Sequence, residues 1–195
     1  MELTQLLRLG ALRPVSLGSC RKRRRELPAA RRERLGGVDD PEIVLDAALR
    51  FLETRQRSIA EVRRRLTTAG YRAALVEGAI ERLLALGILD DQAFTAAWVE
   101  SRDRARPRGE RALRQELREK GIDGALVDAA MAERRPDPGS EGDPDLAAAA
   151  RLLARHASAL ARVADPRKRR ERAYALLARN GFDSETALAA IQELV

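Results

Sequence analysis

The residue types that most often carry catalysis or metal binding are scarce in this chain of 195 residues. His156 is the one histidine and Cys20 the one cysteine, so a histidine pair, an intramolecular disulfide and a cysteine-based metal site are all excluded. Carboxylates are plentiful, but many stand where helices are expected to begin, and there they satisfy free backbone N–H groups. The sequence has no dinucleotide-binding glycine fingerprint, P-loop or nucleophile elbow. We therefore expect a non-catalytic protein without metal sites or cofactors, with His156 on the surface near the end of a helix.

Three clusters rich in arginine are the remaining candidates for chemistry. A guanidinium can bind phosphate or carboxylate through two parallel hydrogen bonds, so such clusters can recognise nucleic acid or an acidic protein surface. The alternative is a solvated helix face whose arginines pair with acids four residues away, such as Glu61–Arg65 and Glu110–Arg114. The first and third clusters are Arg55, Arg57, Arg63, Arg64 and Arg65, and Arg167, Lys168, Arg169, Arg170 and Arg172.

The second cluster is the strongest candidate, because it spans a corner instead of a balanced helix face. Pro107 and Gly109 break this corner, and only Asp103 and Glu110 offset its positive charge. Trp98, on the preceding helix, is expected to lie in the core and not to serve as a stacking platform. The candidate contacts with a partner or with phosphate are Arg102, Arg104, Arg106, Arg108, Arg111 and Arg114.

The elements that must position these clusters are helices in an internal repeat. The pattern L-x-x-x-G followed by a bulky apolar residue occurs three times, with its glycine at Gly70, Gly121 and Gly181. Apolar residues recur eight and four positions before each glycine, and six and ten positions after it. This spacing predicts two amphipathic helices joined by a tight corner, with the glycine in the left-handed position that ends the first helix. The three glycines are therefore expected to be structural corners.

A third helix is expected before each pair, because helix-start signals precede every copy. Asp40, Asp90 and Asp143 are natural N-caps, and Ser58 with Glu61 forms a capping box at the start of the next helix. The sequence thus predicts an all-α fold, an elongated array of three tandem three-helix repeats with about nine helices. The expected boundaries are repeat 1 at 40–89, repeat 2 at 90–134, a linker rich in proline and glycine at 135–142, and repeat 3 at 143–195.

The positive charge of the chain is unevenly distributed. Residues 1–40 hold ten Lys and Arg against five Asp and Glu, whereas residues 41–195 hold twenty-seven against twenty-five. Residues 1–39 also lack aromatic side chains, so we expect a disordered basic arm there. The nearly neutral remainder suits a protein partner better than bare nucleic acid. No apolar run approaches the length of a membrane span, and we expect a cytoplasmic monomer that does not bind membranes.

Several stretches of the chain resemble the RecX family. They are LDDQAF at 89–94, ESRDR at 100–104 and LRQELREKGI at 113–122, and the opening of the first unit at 48–52 also fits. The resemblance covers roughly residues 41–195 and is most specific in the middle copy. It implies tandem three-helix repeats and a small bacterial regulator of the RecA recombinase, without catalytic activity of its own.

The resemblance also implies a partner and a mode of action. Members of the RecX family bind RecA, lie along the groove of its filament on single-stranded DNA, and suppress its ATPase and strand-exchange activities. We accordingly expect a role in homologous recombination, DNA repair and the SOS response, with DNA contacted indirectly or weakly. Two alternatives remain open at this point: a helical DNA-binding module, and a helical scaffold for some other protein.

Overall fold

The computed structural model describes residues 28–134 and 143–192, and every regular element within these two ranges is an α-helix. The ten helices exceed the expected nine by one. They are α1 (Pro28–Gly36), α2 (Pro41–Leu52), α3 (Ile59–Ala69), α4 (Ala73–Ala85), α5 (Asp91–Ala105), α6 (Glu110–Glu119), α7 (Gly124–Arg134), α8 (Pro144–Ala161), α9 (Pro166–Arg179) and α10 (Ser184–Gln192).

From α2 onward, each set of three consecutive helices encloses its own apolar core. The repeat positions lie at the centre of these cores: Leu66, Leu117 and Leu177 are at most 1% exposed. The residues six positions past each glycine are equally buried. Full burial of a leucine or valine side chain stabilises the fold by about 1.5–3 kcal/mol. The all-α array of three three-helix units is therefore confirmed.

The expected helix starts are held by side-chain caps. Ser58 Oγ accepts a hydrogen bond from Glu61 N at 3.1 Å, and Glu61 Oε2 accepts one from Ser58 N at 3.4 Å, so the capping box is formed. Arg72, which stands at the start of α4, makes no side-chain cap. Aspartates accept backbone N–H groups at six other starts, namely Asp40, Asp90, Asp123, Asp143, Asp165 and Asp183.

The expectation that residues 1–39 are disordered is wrong for residues 28–36, which form α1. This helix has little apolar surface, but it packs closely on the corner that ends α3. Leu35 is buried, Arg32 Nε donates to the carbonyl oxygen of Thr68 at 3.1 Å, and a Cβ on Gly70 would lie 2.7 Å from the carbonyl oxygen of Arg32. Composition misses this helix because a backbone contact holds it. The rest of the expected arm, 1–27, and the expected linker, 135–142, lie outside the described residues.

The corner glycines are also the points at which consecutive units meet. Gly70, Gly121 and Gly181 have φ angles of 112°, 76° and 86°, in the left-handed region that side chains with a Cβ rarely adopt. A Cβ on Gly121 would lie 2.3 Å from the Cβ of Ala60, near the start of α3. A Cβ on Gly181 would lie 2.4 Å from the Cβ of Ala112, near the start of α6. Glycine is therefore required both to end its own helix and to let the neighbouring unit approach.

The second helices of the three units, α3, α6 and α9, meet end to end at these contacts. At the first joint, Ser58 Oγ donates to the carbonyl oxygen of Lys120 at 2.6 Å, and Ile59 N donates to Asp91 Oδ1 at 2.9 Å. Lys120 Nζ also donates to Glu61 Oε1 at 2.8 Å. The positive start of α3 thus faces the negative end of α6, an arrangement that helix dipoles favour.

Substitution of Gly121 tests whether the joint depends on this close contact. Gly121→Ala should lower the free energy of unfolding by about 2–4 kcal/mol, from left-handed strain of about 1–2 kcal/mol and overlap with Ala60. Gly87→Ala is the matched control, because Gly87 has a φ of 66° but nothing within 4 Å of an added Cβ. Its loss of unfolding free energy should reflect the backbone strain alone. Urea denaturation of both variants measures the difference.

A compensating change separates the overlap from the strain. In Gly121→Ala with Ala60→Gly, the added methyl group enters the space that Ala60 vacates, so the two substitutions should couple favourably by about 1 kcal/mol or more. If the two losses are simply additive, the units do not meet through this pair of atoms in solution.

The pKa of Glu61 makes the first joint dependent on pH. Burial disfavours its charged form, but hydrogen bonds from Lys120 and Arg55 outweigh burial and hold the pKa of Glu61 below its usual value. The stabilisation is therefore present above the ordinary glutamate pKa of about 4.3 and is lost as the pH falls through the folded-state value. Glu61→Gln preserves a capping side chain, so its cost in unfolding free energy at pH 7 should shrink steadily below about pH 4.

Urea denaturation at several pH values measures this effect. The matched control is Glu81→Gln, which removes an exposed carboxylate that has no ion pair within the described residues. It should change neither the stability nor its pH dependence. A cost of Glu61→Gln that stays constant into acid would contradict the charge pairing.

Candidate partner interface

The basic corner between α5 and α6 is the joint to the third unit. Pro107 and Gly109 are buried there. Gly109 N donates to the carbonyl oxygen of Asn180, at the end of α9, at 3.0 Å, and a Cβ on Gly109 would lie 2.4 Å from the carbonyl oxygen of Gly181. The corner is therefore packed against α9 and is not a free loop.

Glu116 of α6 gathers two of the six predicted arginines. Its carboxylate accepts a hydrogen bond from Arg102 Nε at 2.6 Å and lies 3.3 Å from Arg108 Nε. Trp98 Nε1 donates to the same carboxylate at 3.0 Å, and the Arg102 guanidinium lies 4.2 Å from the centroid of the Trp98 ring. Trp98 packs against the second core, as expected, and its ring is covered by a cation.

Arg108 and Arg111 reach across the joint to the end of α9. Arg108 Nη1 donates to Asn180 Oδ1 at 2.7 Å, and Arg111 Nη2 is 3.4 Å from the carbonyl oxygen of Ala178. Free carbonyl groups and a partial negative charge are found at the end of a helix, and cations are favoured there. These two predicted contact residues therefore contribute to docking the third unit.

Arg114 is paired within its own unit. It binds Glu110 at 2.8 Å, as the sequence predicted, and it also binds Asp128. The Asp128 and Glu110 carboxylates raise the pKa of Arg114. The other predicted pair, Glu61–Arg65, is not formed, because Glu61 binds other cations.

Arg104 and Arg106 are the predicted contacts that remain most available to a partner. Arg104 pairs with Glu100 at 3.3 Å, but both side chains are more than 70% exposed, and such pairs contribute at most about 1 kcal/mol. Arg106 is exposed and has no side-chain partner among the described residues. Arg155 of α8 donates to the carbonyl oxygen of Arg104 at 3.3 Å and adds a third exposed guanidinium beside them.

A buried ionic network fixes the position of α8 against this corner. Arg134, whose side chain is 7% exposed, bonds Asp103 at 2.8 and 3.0 Å and also bonds Asp145 of α8. Asp145 Oδ2 also accepts a hydrogen bond from Glu110 N at 2.9 Å. Burial raises the pKa of Asp145 despite these bonds, whereas the two carboxylates raise the pKa of Arg134 against the effect of burial. Every charge in the network has a partner.

The structure thus divides the predicted arginine set. It brings Arg102 and Arg108 together on one carboxylate, assigns Arg111 and Arg114 to packing, and leaves Arg104 and Arg106 on the surface. The organising residues that sequence reasoning missed are Glu116, Arg134, Asp145, Arg155 and Asn180. Each lies at least eight residues from its partner along the chain, so no i,i+3 or i,i+4 spacing signals the contact.

Within the described residues, no group of three or more histidine, cysteine or acidic side chains could hold a metal ion. His156 is exposed on α8, as expected. None of the helices in these residues is both long enough and apolar enough to cross a membrane.

Comparison with known proteins identifies the family to which this chain belongs. Residues 45–83 match the description "RecX, first three-helix domain", and residues 90–131 match "RecX, second three-helix domain". The regulatory protein RecX of Prosthecochloris aestuarii is 31% identical over 160 residues, which cover 80% of this chain and 96% of that protein. The chain belongs to the RecX family.

Other relatives match over shorter stretches. The regulatory protein RecX of Streptomyces coelicolor is 36% identical over 135 residues, covering 67% of this chain and 68% of that one. The regulatory protein RecX of Mycobacterium sp. strain JLS is 39% identical over 95 residues, covering 49% and 51%. The match therefore spans about half the length of this mycobacterial relative.

Solved structures of RecX proteins share the fold. The crystal structure of RecX from Lactobacillus salivarius superposes with a TM-score of 0.66 at 21% identity, covering 80% of this chain and 97% of that one. A second crystal structure, of a regulatory protein RecX, has a TM-score of 0.65 at 21% identity and covers 78% and 71%.

Removal of the Glu116 charge tests the organisation of the corner. Glu116→Gln leaves two arginines without their shared partner, so the free energy of unfolding should fall by about 1–3 kcal/mol. The fluorescence of Trp98, the one tryptophan, should change at the same time. Glu100→Gln is the control: its pair is exposed, and its effect should stay below about 0.5 kcal/mol. Equal effects of the two substitutions would show that Glu116 does not hold Arg102 and Arg108 together in solution.

Proposed function

We propose that this chain is a non-catalytic regulator that binds the RecA recombinase in its filament on single-stranded DNA and inhibits its ATPase and strand-exchange activities. Family membership over nearly the whole length of the Prosthecochloris aestuarii RecX is the observation that carries the proposal. In this role the protein acts as a cytoplasmic monomer in the control of recombinational DNA repair and the SOS response.

The joints between the units suit such a role. A regulator that lies along a filament must touch successive protomers with contacts at a fixed spacing. Both joints are held by close glycine contacts and by hydrogen bonds between helix ends. Repeat proteins of this kind present extended binding surfaces, because each unit contacts its neighbours and leaves one face free.

Arg104 and Arg106 are the contact residues that we assign to the recombinase. Both are exposed, and they stand at the end of α5 beside Arg155, so three guanidiniums meet the partner together. An acidic surface on the recombinase would be recognised by this cluster, since guanidiniums bind carboxylates with defined geometry. The other four predicted arginines hold the cluster in place through the corner.

Recombinase ATP hydrolysis on single-stranded DNA tests the proposal. The wild-type chain should slow hydrolysis by the RecA protein of its host, and Arg104→Glu with Arg106→Glu should weaken the inhibition about tenfold or more, equivalent to about 1.4 kcal/mol. The matched control reverses two other exposed arginines without side-chain partners in the described residues, Arg64→Glu with Arg118→Glu.

Two results would contradict parts of the proposal. Unchanged hydrolysis at excess wild-type protein would remove the recombinase as the target. Equal loss of inhibition in both double variants would remove Arg104 and Arg106 as the contact and leave only a general effect of charge.

A further inference from the structure

A dense cluster of positive charge lies on the third unit, away from the basic corner. The segment 162–172 holds six Lys and Arg against two acids, although residues 41–195 as a whole are nearly neutral. We propose that the exposed face of α9 binds single-stranded nucleic acid, with a base stacked on Tyr174 and phosphates bound by the cations around it. The proposal concerns naked nucleic acid and does not depend on the recombinase.

Four of the six cations of this segment have no side-chain partner among the described residues, whereas most of those in the basic corner are paired. Arg167 pairs with Glu171 at 3.2 Å in an exposed contact, and Arg169 donates to the carbonyl oxygen of Val163. The other four have no side-chain partner among the described residues, and all are exposed. They are Arg162, Lys168, Arg170 and Arg172. Exposed cations without internal partners can neutralise phosphates without breaking a contact of the fold.

Tyr174 provides the second observation, which is independent of charge. All six aromatic side chains of the protein lie within the described residues, and Tyr174 is the exposed one, at 39%. Phe94 and Phe182 are buried, and cations lie over the rings of Phe51 and Trp98. Tyr174 is therefore placed to accept an external ring, whereas the other aromatics are used by the fold.

Tyr174 shares one cleft with one of the cations, Arg170, and the carboxylate of Glu171, which is paired with Arg167, also lines it. Tyr174 and Arg170 are four residues apart on α9, so they are neighbours on its surface. Together with Leu188 of α10 they line a cleft of about 720 Å³. A nucleobase has the flat apolar faces that such a cleft and a tyrosine ring accept, and its phosphates extend toward the flanking cations.

Single-stranded nucleic acid fits this combination better than the alternatives. Proteins that bind single strands pair a cationic surface with exposed aromatic rings, because every base has a face that stacks. An acidic protein segment would use the cations but gains nothing specific from a flat ring. A duplex keeps its bases stacked inside and cannot reach Tyr174.

Fluorescence anisotropy with a labelled oligothymidylate, full-length protein and no recombinase tests the proposal. Lys168→Glu with Arg170→Glu should weaken binding about tenfold or more and make the salt dependence shallower, since about two phosphate contacts are lost. Both new glutamates would lie near the start of α9, where negative charge is tolerated, so the fold should be kept. Arg64→Glu with Arg118→Glu, two exposed arginines of the first two units without side-chain partners in the described residues, is the matched control and should bind as the wild type does.

The aromatic contribution has its own variants. Tyr174→Leu should weaken binding severalfold with an unchanged salt slope, whereas Tyr174→Phe, which keeps the ring, should bind as the wild type does. The basic segment before residue 28 is identical in every variant, so any contribution it makes cancels in these comparisons.

Several results would overturn the proposal. These are equal effects of the two charge-reversed pairs, no effect of Tyr174→Leu, binding of a duplex as tight as that of the single strand, or preference for a polyglutamate peptide. The ATPase assay keeps this proposal separate from the regulatory one. Loss of oligothymidylate binding with full inhibition of the recombinase would support the nucleic-acid site and leave the regulatory contact at Arg104 and Arg106 standing.

Discussion

The close approach of a left-handed glycine to the start of a neighbouring helix is the contact on which the array depends. At Gly121 and Gly181 the space for a Cβ is occupied by an alanine of the preceding unit. The glycine that ends a helix therefore also sets the distance and register between its own unit and the preceding one. Because the helix ends then face each other, carbonyl groups and N–H groups that would otherwise need water bond across the joint. Packing inside each unit and docking between units thus share one residue.

The two joints satisfy this constraint with different chemistry. The first uses the Ser58 hydroxyl and the Lys120–Glu61 pair, and its strength follows the charge of one glutamate. The second replaces the hydroxyl with a backbone N–H, that of Gly109, and adds arginines that reach the end of α9. Much of the positive charge in the middle of the chain is consequently used for architecture. What remains for a partner is a smaller set of side chains held at fixed positions.

The sequence predicts the repeating parts of this protein well, because they depend on local spacing. The buried leucines, the corner glycines and the aspartate caps all follow from periods of three and four residues and from backbone geometry. The helix at 28–36 escapes prediction because it docks through one buried leucine, a hydrogen bond from Arg32 and a close backbone approach at Gly70. The roles of the corner arginines escape it as well, because their partners Glu116 and Asn180 stand 14 and 72 residues from Arg102 and Arg108. Which arginines face a partner depends on the assembled joints.

The position of α1 has a consequence for how many units can stack. At Gly70 this helix occupies the place that α3 occupies at Gly121 and α6 at Gly181. It therefore blocks that corner against a second copy of the chain. At the opposite end, Pro166, Arg167 and Lys168 begin α9 where Ala60 and Ala112 leave room in the other units. A further unit of the same kind would meet bulky charged side chains there. The contact that joins the three units is thus obstructed at both ends of the described array, and a closed set of contacts of this kind does not extend into an open-ended assembly.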